Sequence, residues 1–476
     1  MSHEKKHIYS RRKFIGTSSC AAMGCSTFFS TFFGLKKASA MAASSPLPTG
    51  DYKALVCILL AGGNDSFNML VPMGSSASDS QYTEYQTVRS ELALPWGDIL
   101  PLNGTTSNGK SLGLHPSMPE LQSLFNSNKL AFLPNVGTLV HPTSKSQYYN
   151  ETIDLPLGLY SHADQIQQWQ TGIADQRSGL GWGGRMSDIM QYLNTNQQVS
   201  MNISMNGNNI FQSGSGTTSY AVNPEDGIGK TIMGYGNTDD DWDMIRTQAI
   251  DSLMDQQYLN LFEKTYANII KNSQDASSLF NNAISGTTPL NTSFSDNELS
   301  NALRSVASTI AARSALGACR QTFFVVYDGW DHHDEVLNNQ LYMLGVVSKA
   351  MQEFYDATTE LGIADKVTTF TVSDFARTLT SNGYGTDHAW GGNVMAMGDS
   401  VAGGQIYGDY PDLYNDNPFD VGDGRGVLIP QTSTDEYFAE LAMWFGVSVS
   451  DLPMVLPNIG NFYSPSTSTP PIGFMV

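Results

Sequence analysis

The chain is 476 residues long, with 41% apolar, 11% aromatic and 15% charged residues. That is enough apolar material for a large core and excludes whole-chain disorder, and the length is worth about three domains at ~150 residues each. Aspartate and glutamate total 45 against 25 lysines and arginines, a net charge of −20, which excludes the basic face that nucleic acid requires.

Positive charge collects at the N-terminus, where Lys5, Lys6, Arg11, Arg12, Lys13, Lys36 and Lys37 face only Glu4. Ser10-Arg11-Arg12-Lys13-Phe14-Ile15 reads as a twin-arginine export motif. A weakly apolar run from Phe14 to Leu35 follows, then Ala38-Ser39-Ala40, a small-x-small cleavage site. Residues 1–40 are therefore predicted to be a signal peptide, with the twin-arginine translocase as partner during export and a periplasmic or secreted product. An uncleaved anchor is the alternative; a lipoprotein site at Cys25 fits less well, because Ala22-Met23-Gly24 is a poor match. Beyond the signal the cysteines are Cys57 and Cys319, both in apolar runs. Two buried thiols are expected, a disulfide is open, and no CxxC spacing supports a thiolate metal site.

Residues 41–476 are predicted to form one domain. Ala54–Leu60 is a continuous apolar run of strand length, and Leu130–Val136, Thr322–Tyr327 and Val367–Val372 resemble it. Unbroken runs suit strands buried on both faces, as in a parallel sheet. Gln165–Gln170 reads as a short helix. Residues 195–240 are rich in Gly, Ser, Asn and Thr with short β-like runs, and 242–316 look mostly helical, so 195–316 is expected to be an insertion or cap. In Glu335–Leu361, Leu337, Leu341, Leu344, Val347 and Met351 recur at helical spacing, giving strand–helix–strand. The predicted fold class is α/β, a mostly parallel central sheet flanked by helices, with a mixed insertion. No internal run of ~18 apolar residues predicts a membrane span.

Three of the predicted strands end in acidic groups: Gly63-Asn64-Asp65, Asp328 to Asp334, and Ser373-Asp374. Ligand sites in parallel sheets form beyond the carboxyl ends of strands, and clustered carboxylates call for a balancing cation. Three of the few histidines beyond the signal lie in Asp331-His332-His333 and Asp387-His388. That donor chemistry suits a divalent metal, unless these groups only cap strand ends. Ser161-His162 precedes the predicted helix 165–170, where free amides stabilise an anion; Ser161 is either a nucleophile or an ordinary helix cap. Thr143 and Ser144 form a rival hydroxyl loop. Arg377 would hold a phosphate or sulfate, or pair with the acidic edge.

The segments LLAGGNDSFNMLVP (59–72), GLHPSM (113–118), NVGTLVHPT (135–143), YSHADQIQQWQTG (160–172), GWGGRM (181–186), GWDHHDE (329–335), SDFARTLTSNGYGTDHAWGG (373–392), GGQIYGDYP (403–411) and GRGVLIPQTSTDEYFAELAMWFG (424–446) together resemble domain-of-unknown-function family 1501. This is a group of exported bacterial proteins, distantly related to the alkaline phosphatase/sulfatase superfamily. The resemblance implies an exported hydrolase of phosphate or sulfate esters, with one or two divalent metals (Zn, Mn, Fe or Ca) and a small-molecule or glycan ester as substrate. It implies Asp65, Asp331, His333, Asp374 and His388 as metal ligands and Ser161 as the nucleophile; His162 and Arg377, beside them in sequence, are expected to be catalytic with it. Two features depart from the superfamily. Phe375 stands where a histidine usually follows Asp374, and Asp331 and His333 are two apart instead of four. The competing expectation is a non-catalytic periplasmic or envelope binding protein on the same scaffold. A twin-arginine redox protein has no flavin, haem or iron–sulfur pattern behind it.

Overall fold

Each run expected to be a buried strand is one. The computed structural model describes residues 51–229, 232, 234–256, 260–464 and 469–476, so the predicted signal lies outside the described residues. The strands are β1 (Lys53–Ala61), β2 (Leu70–Pro72), β3 (Leu100–Thr105), β4 (Ser111–Leu114), β5 (Leu130–Gly137), β6 (Asn202–Ser204), β7 (Tyr220–Ala221), β8 (Arg320–Asp328), β9 (Val367–Ser373), β10 (Gly392–Met397) and β11 (Thr432–Ser433). Eight of them form one sheet in the order β11-β5-β10-β9-β1-β8-β6-β7. Its other neighbouring pairs are parallel, and β10 alone runs against both β9 and β5. The central sheet is mostly parallel, as expected for the α/β class. A small antiparallel sheet, β2-β4-β3, packs beside it.

The helices used below are α1 (Lys145–Asn150), α2 (His162–Thr171), α3 (Trp182–Met190), α4 (Asp241–Met254), α5 (Leu261–Ser285), α6 (Glu298–Ala311), α7 (Val336–Glu360) and α8 (Thr434–Phe445). Strand β1 explains why its sequence does not alternate. Ala54, Val56, Ile58 and Leu60 face one core with Leu303, Val306, Leu344 and Val347 of α6 and α7. Leu55, Cys57, Leu59 and Ala61 face a second core with Trp182 and Phe438 of α3 and α8, whose rings stack at 4.5 Å. Both faces are covered, so every position is apolar. Segment 195–316 supplies the edge strands β6 and β7 to the same sheet, followed by α4, α5 and α6. Residues Tyr52–Val476 form one compact unit. Among the described residues no helix is long and apolar enough to cross a membrane; Cys57 and Cys319 are free thiols, but only Cys57 is buried, Cys319 standing half-buried just ahead of β8.

Candidate metal centre

Strand register places the chemistry. Ala61 of β1 lies opposite Asp328 of β8, and Leu60 lies opposite Ser373 of β9. The three chains that leave these ends therefore start side by side on one sheet edge. The ladder continues past the strands, because the Trp330 amide donates to the Ala61 carbonyl at 3.0 Å. Two tight bonds follow, from the His332 amide to the Trp330 carbonyl (2.9 Å) and from the His333 amide to the Asp331 carbonyl (3.1 Å). His332 is buried, whereas the Asp331 and His333 side chains are about half exposed, 49% and 47%. A spacing of two thus puts both donors on the open side.

Two further pieces complete the cluster. After β9 the chain runs out and returns: Ala376 and Thr378 donate to the Trp390 and Asp387 carbonyls, and Arg377 bridges His388. This brings His388 back to the sheet edge. His162 opens α2, which is pinned by the Trp169 indole N–H donating to the Asp374 carbonyl at 3.1 Å.

Donor atoms of His162, Asp331 and His388 then converge within 4.8 Å of one another, and His333 Nε2 borders them beside His388 and Asp331. His388 Nε2 lies 3.1 Å from both His162 Nε2 and His333 Nε2. Asp331 Oδ1 lies 3.5 Å from His162 Nε2, 3.1 Å from His333 Nε2 and 3.6 Å from His388 Nε2. The opposite ring nitrogens all face acceptors: His162 Nδ1 the Asp374 carboxylate (2.6 Å), His388 Nδ1 the Tyr160 carbonyl (2.8 Å), and His333 Nδ1 the Asp387 carboxylate (3.4 Å). These acceptors assign the ring protons to Nδ1 and leave the Nε2 lone pairs facing one another. Such an arrangement repels itself unless a cation lies among the nitrogens. Donors around zinc at about 2.0–2.1 Å would be separated by roughly 3.3 Å, close to the 3.1, 3.5 and 3.6 Å among His162, His388 and Asp331. Three imidazoles and one carboxylate suit Zn, and also Mn or Fe; nitrogen donors fit Ca poorly.

The electrostatics agree with that grouping. Burial, outweighing the His162 and Gly62 N–H contacts, pushes the Asp374 carboxyl above its ordinary range. Burial raises Asp331 too, but the Arg377 guanidinium, bonded at 2.5 Å, holds its carboxyl below the ordinary value. Burial lowers His388, favouring the neutral imidazole a metal needs. The Phe375 ring lies against His162 and His388, with centroids 4.7 and 4.6 Å away. The position where a second histidine was expected is therefore a wall of the site.

The residues expected from sequence fall into three groups. Asp331 and His388 meet, His162, expected to be catalytic, joins them as a donor, and His333 borders the three. Asp374 does not face the cluster centre; it orients His162 and accepts the Gly62 amide at 3.0 Å. Asp65 is fully buried and ion-paired with Arg89, because the fold supplies a guanidinium as its counter-charge. Arg377 is also fully buried and is consumed by the carbonyls of Gly62, Gly63, Trp330 and Thr386 as well as by Asp331. Ser161 caps α2, its Oγ accepting the Asp164 amide. Thr143 donates to the His141 carbonyl, and Ser144 caps α1 in a capping box. Tyr160 escaped sequence reasoning because its backbone carbonyl, not its side chain, holds His388. Asp387 was visible beside His388 but not as the partner of His333.

A model for the family described as "Protein of unknown function (DUF1501)" matches residues 52–423. No curated protein matches the sequence. Among solved structures the chain is similar to Ps i-CgsB in complex with k-i-k-neocarrahexaose, with a TM-score of 0.33, 11% identity, and 87% of this chain and 78% of that one covered. It is also similar to the PsFucS1 sulfatase from Pseudoalteromonas sp. (0.34, 11%, 85% and 70%). The lipooligosaccharide phosphoethanolamine transferase EptA from Neisseria meningitidis matches at 0.34 and 11%, over 90% and 61%.

Proposed function

The chain belongs to the DUF1501 family, and we propose that it is an exported, metal-dependent hydrolase of phosphate or sulfate esters. One observation carries the reading: His162 Nε2, His388 Nε2 and Asp331 Oδ1 converge, His333 Nε2 borders them, and every opposing Nδ1 faces an acceptor. His162, His333, His388 and Asp331 are the proposed ligands. A divalent cation held there would polarise an ester oxygen and lower the pKa of a bound water. The chain's own groups do the rest. Asp374, Tyr160 and Asp387 fix the three rings. Arg377 neutralises and aims Asp331 from beneath. Phe375 keeps water from one side of His162 and His388. Ser161 Oγ is spent on its cap, which favours water as the nucleophile over that hydroxyl. The twin-arginine motif supports export.

The test is turnover of 4-nitrophenyl phosphate and 4-nitrophenyl sulfate by protein purified without chelator. Turnover of either that disappears with EDTA, returns with zinc and falls at least about a hundredfold in His388→Ala supports the reading. Absence of turnover at full zinc content would favour the second reading, a non-catalytic binding or envelope-assembly protein. That alternative rests on the commitment of Ser161, Thr143 and Ser144 to local hydrogen bonds.

A further inference from the structure

Beside the donors, a cleft of ≈ 410 Å³ opens against His333 and His388. That volume falls in the range of roughly 300–1,000 Å³ typical of small-molecule sites. Its walls differ in chemistry. Tyr148 and Tyr160 form an aromatic side, their phenol oxygens 3.1 Å apart. Asp387 and Arg425 form a charged edge, with Arg425 Nη1 donating to Asp387 Oδ2 at 3.1 Å. Val421 and Val427 add apolar lining. The Arg425 side chain is 58% exposed.

Tyr160 ties this cleft to the proposed metal ligands. Its φ is +71°, a left-handed conformation that a bulky residue adopts only where its surroundings enforce it. The Gln165 side chain accepts its amide at 2.6 Å. In that conformation its carbonyl holds His388 Nδ1 while its ring lines the cleft.

We propose that the cleft holds the alcohol portion of the ester, and that this portion is a neutral, hydroxyl-bearing ring such as a sugar. The proposal rests on the metal-hydrolase reading and deepens it. The Asp387–Arg425 pair sums to zero charge and sets an acceptor beside a donor, which complements hydroxyl groups that both donate and accept. The tyrosine faces cover the apolar C–H side of a ring, and a plain aliphatic chain would leave the charged edge unpaired.

The test is saturation-transfer NMR of the zinc-loaded protein against a panel of neutral methyl glycosides and disaccharides, with metal content measured on the same samples. At least one glycoside should bind through its ring protons. Its affinity should fall about tenfold in Tyr148→Ala and in Arg425→Leu, stacking and polar contacts each being worth ~1 kcal/mol or more, and survive in Tyr148→Trp. Zinc content should stay unchanged in all three. Full zinc content with no glycoside bound, or equal binding by Tyr148→Ala and Arg425→Leu, overturns the cleft assignment and leaves the metal reading standing. Failure of the wild type to take up zinc overturns the metal reading, and the cleft assignment with it.

Discussion

His162 takes its role from its neighbours. In sequence it stands after a serine and before a helix, which suggests an acid–base group near an anion site. In the fold its Nδ1 is taken by Asp374, so only Nε2 is available, and that atom faces His388 and Asp331. Asp331 and His333 were named as ligands only by the family resemblance; the tight turn after β8 leaves both side chains half exposed and buries His332 between them. Asp65 was not legible as a structural residue, because its partner Arg89 lies on a separate helix. The same logic gives a prediction for Asp374. Asp374→Asn keeps the shape but replaces the carboxylate that fixes the His162 tautomer. Zinc affinity should fall by about 10–100-fold with the fold intact, as judged by competition with a chromogenic chelator and by circular dichroism. Unchanged affinity would remove Asp374 from the account.

At the scale of elements, the turn after β1 sets the site's dimensions. Gly62 has φ +115°, and a Cβ there would lie 2.5 Å from the Asp331 amide nitrogen. The β1 and β8 extensions pass too closely for any side chain. Gly62→Ala should therefore destabilise the protein by ~2–4 kcal/mol, seen as a lower urea midpoint, and should weaken zinc binding by displacing Asp331. A variant with native stability and native zinc affinity would show that the close approach is not required. The parallel strands and α7 were readable because burial on both faces imposes unbroken apolar runs and one covered helix face imposes a 3.6 period. The antiparallel course of β10 was not readable, since an apolar strand carries no mark of its direction. Nor was the return of the chain from Arg377 to His388, which is held by backbone bonds between residues 376 and 390.

At the scale of the whole molecule, acidity is handled in two ways. Some carboxylates act as internal clamps: Glu440 accepts the amides of Ile472, Gly473 and Met475 and fastens the C-terminal segment to α8. Asp435 is different. It is buried on α8, neither oxygen has a hydrogen-bond partner among the described residues, and burial, with Glu436 adding to it, pushes its carboxyl well above the ordinary value. The native state therefore keeps a proton that the unfolded chain loses near pH 4. Stability from this group is present below that pH and is lost as pH rises toward the raised native value. Asp435→Asn should gain stability relative to wild type as pH is raised from about 4 to about 8. Urea unfolding of both proteins across that range checks it, and a constant difference at all pH values would contradict the assignment.

The central claim is that His162, His388 and Asp331, with His333 beside them, hold one metal ion. The most direct measurement is elemental analysis of protein purified from the periplasm without chelator, beside His162→Ala prepared identically. The account predicts about one equivalent of zinc, manganese or iron in the wild type and a large loss in the variant. A wild type that carries no metal and takes up none on titration, or a His162→Ala variant with full metal content, would contradict it.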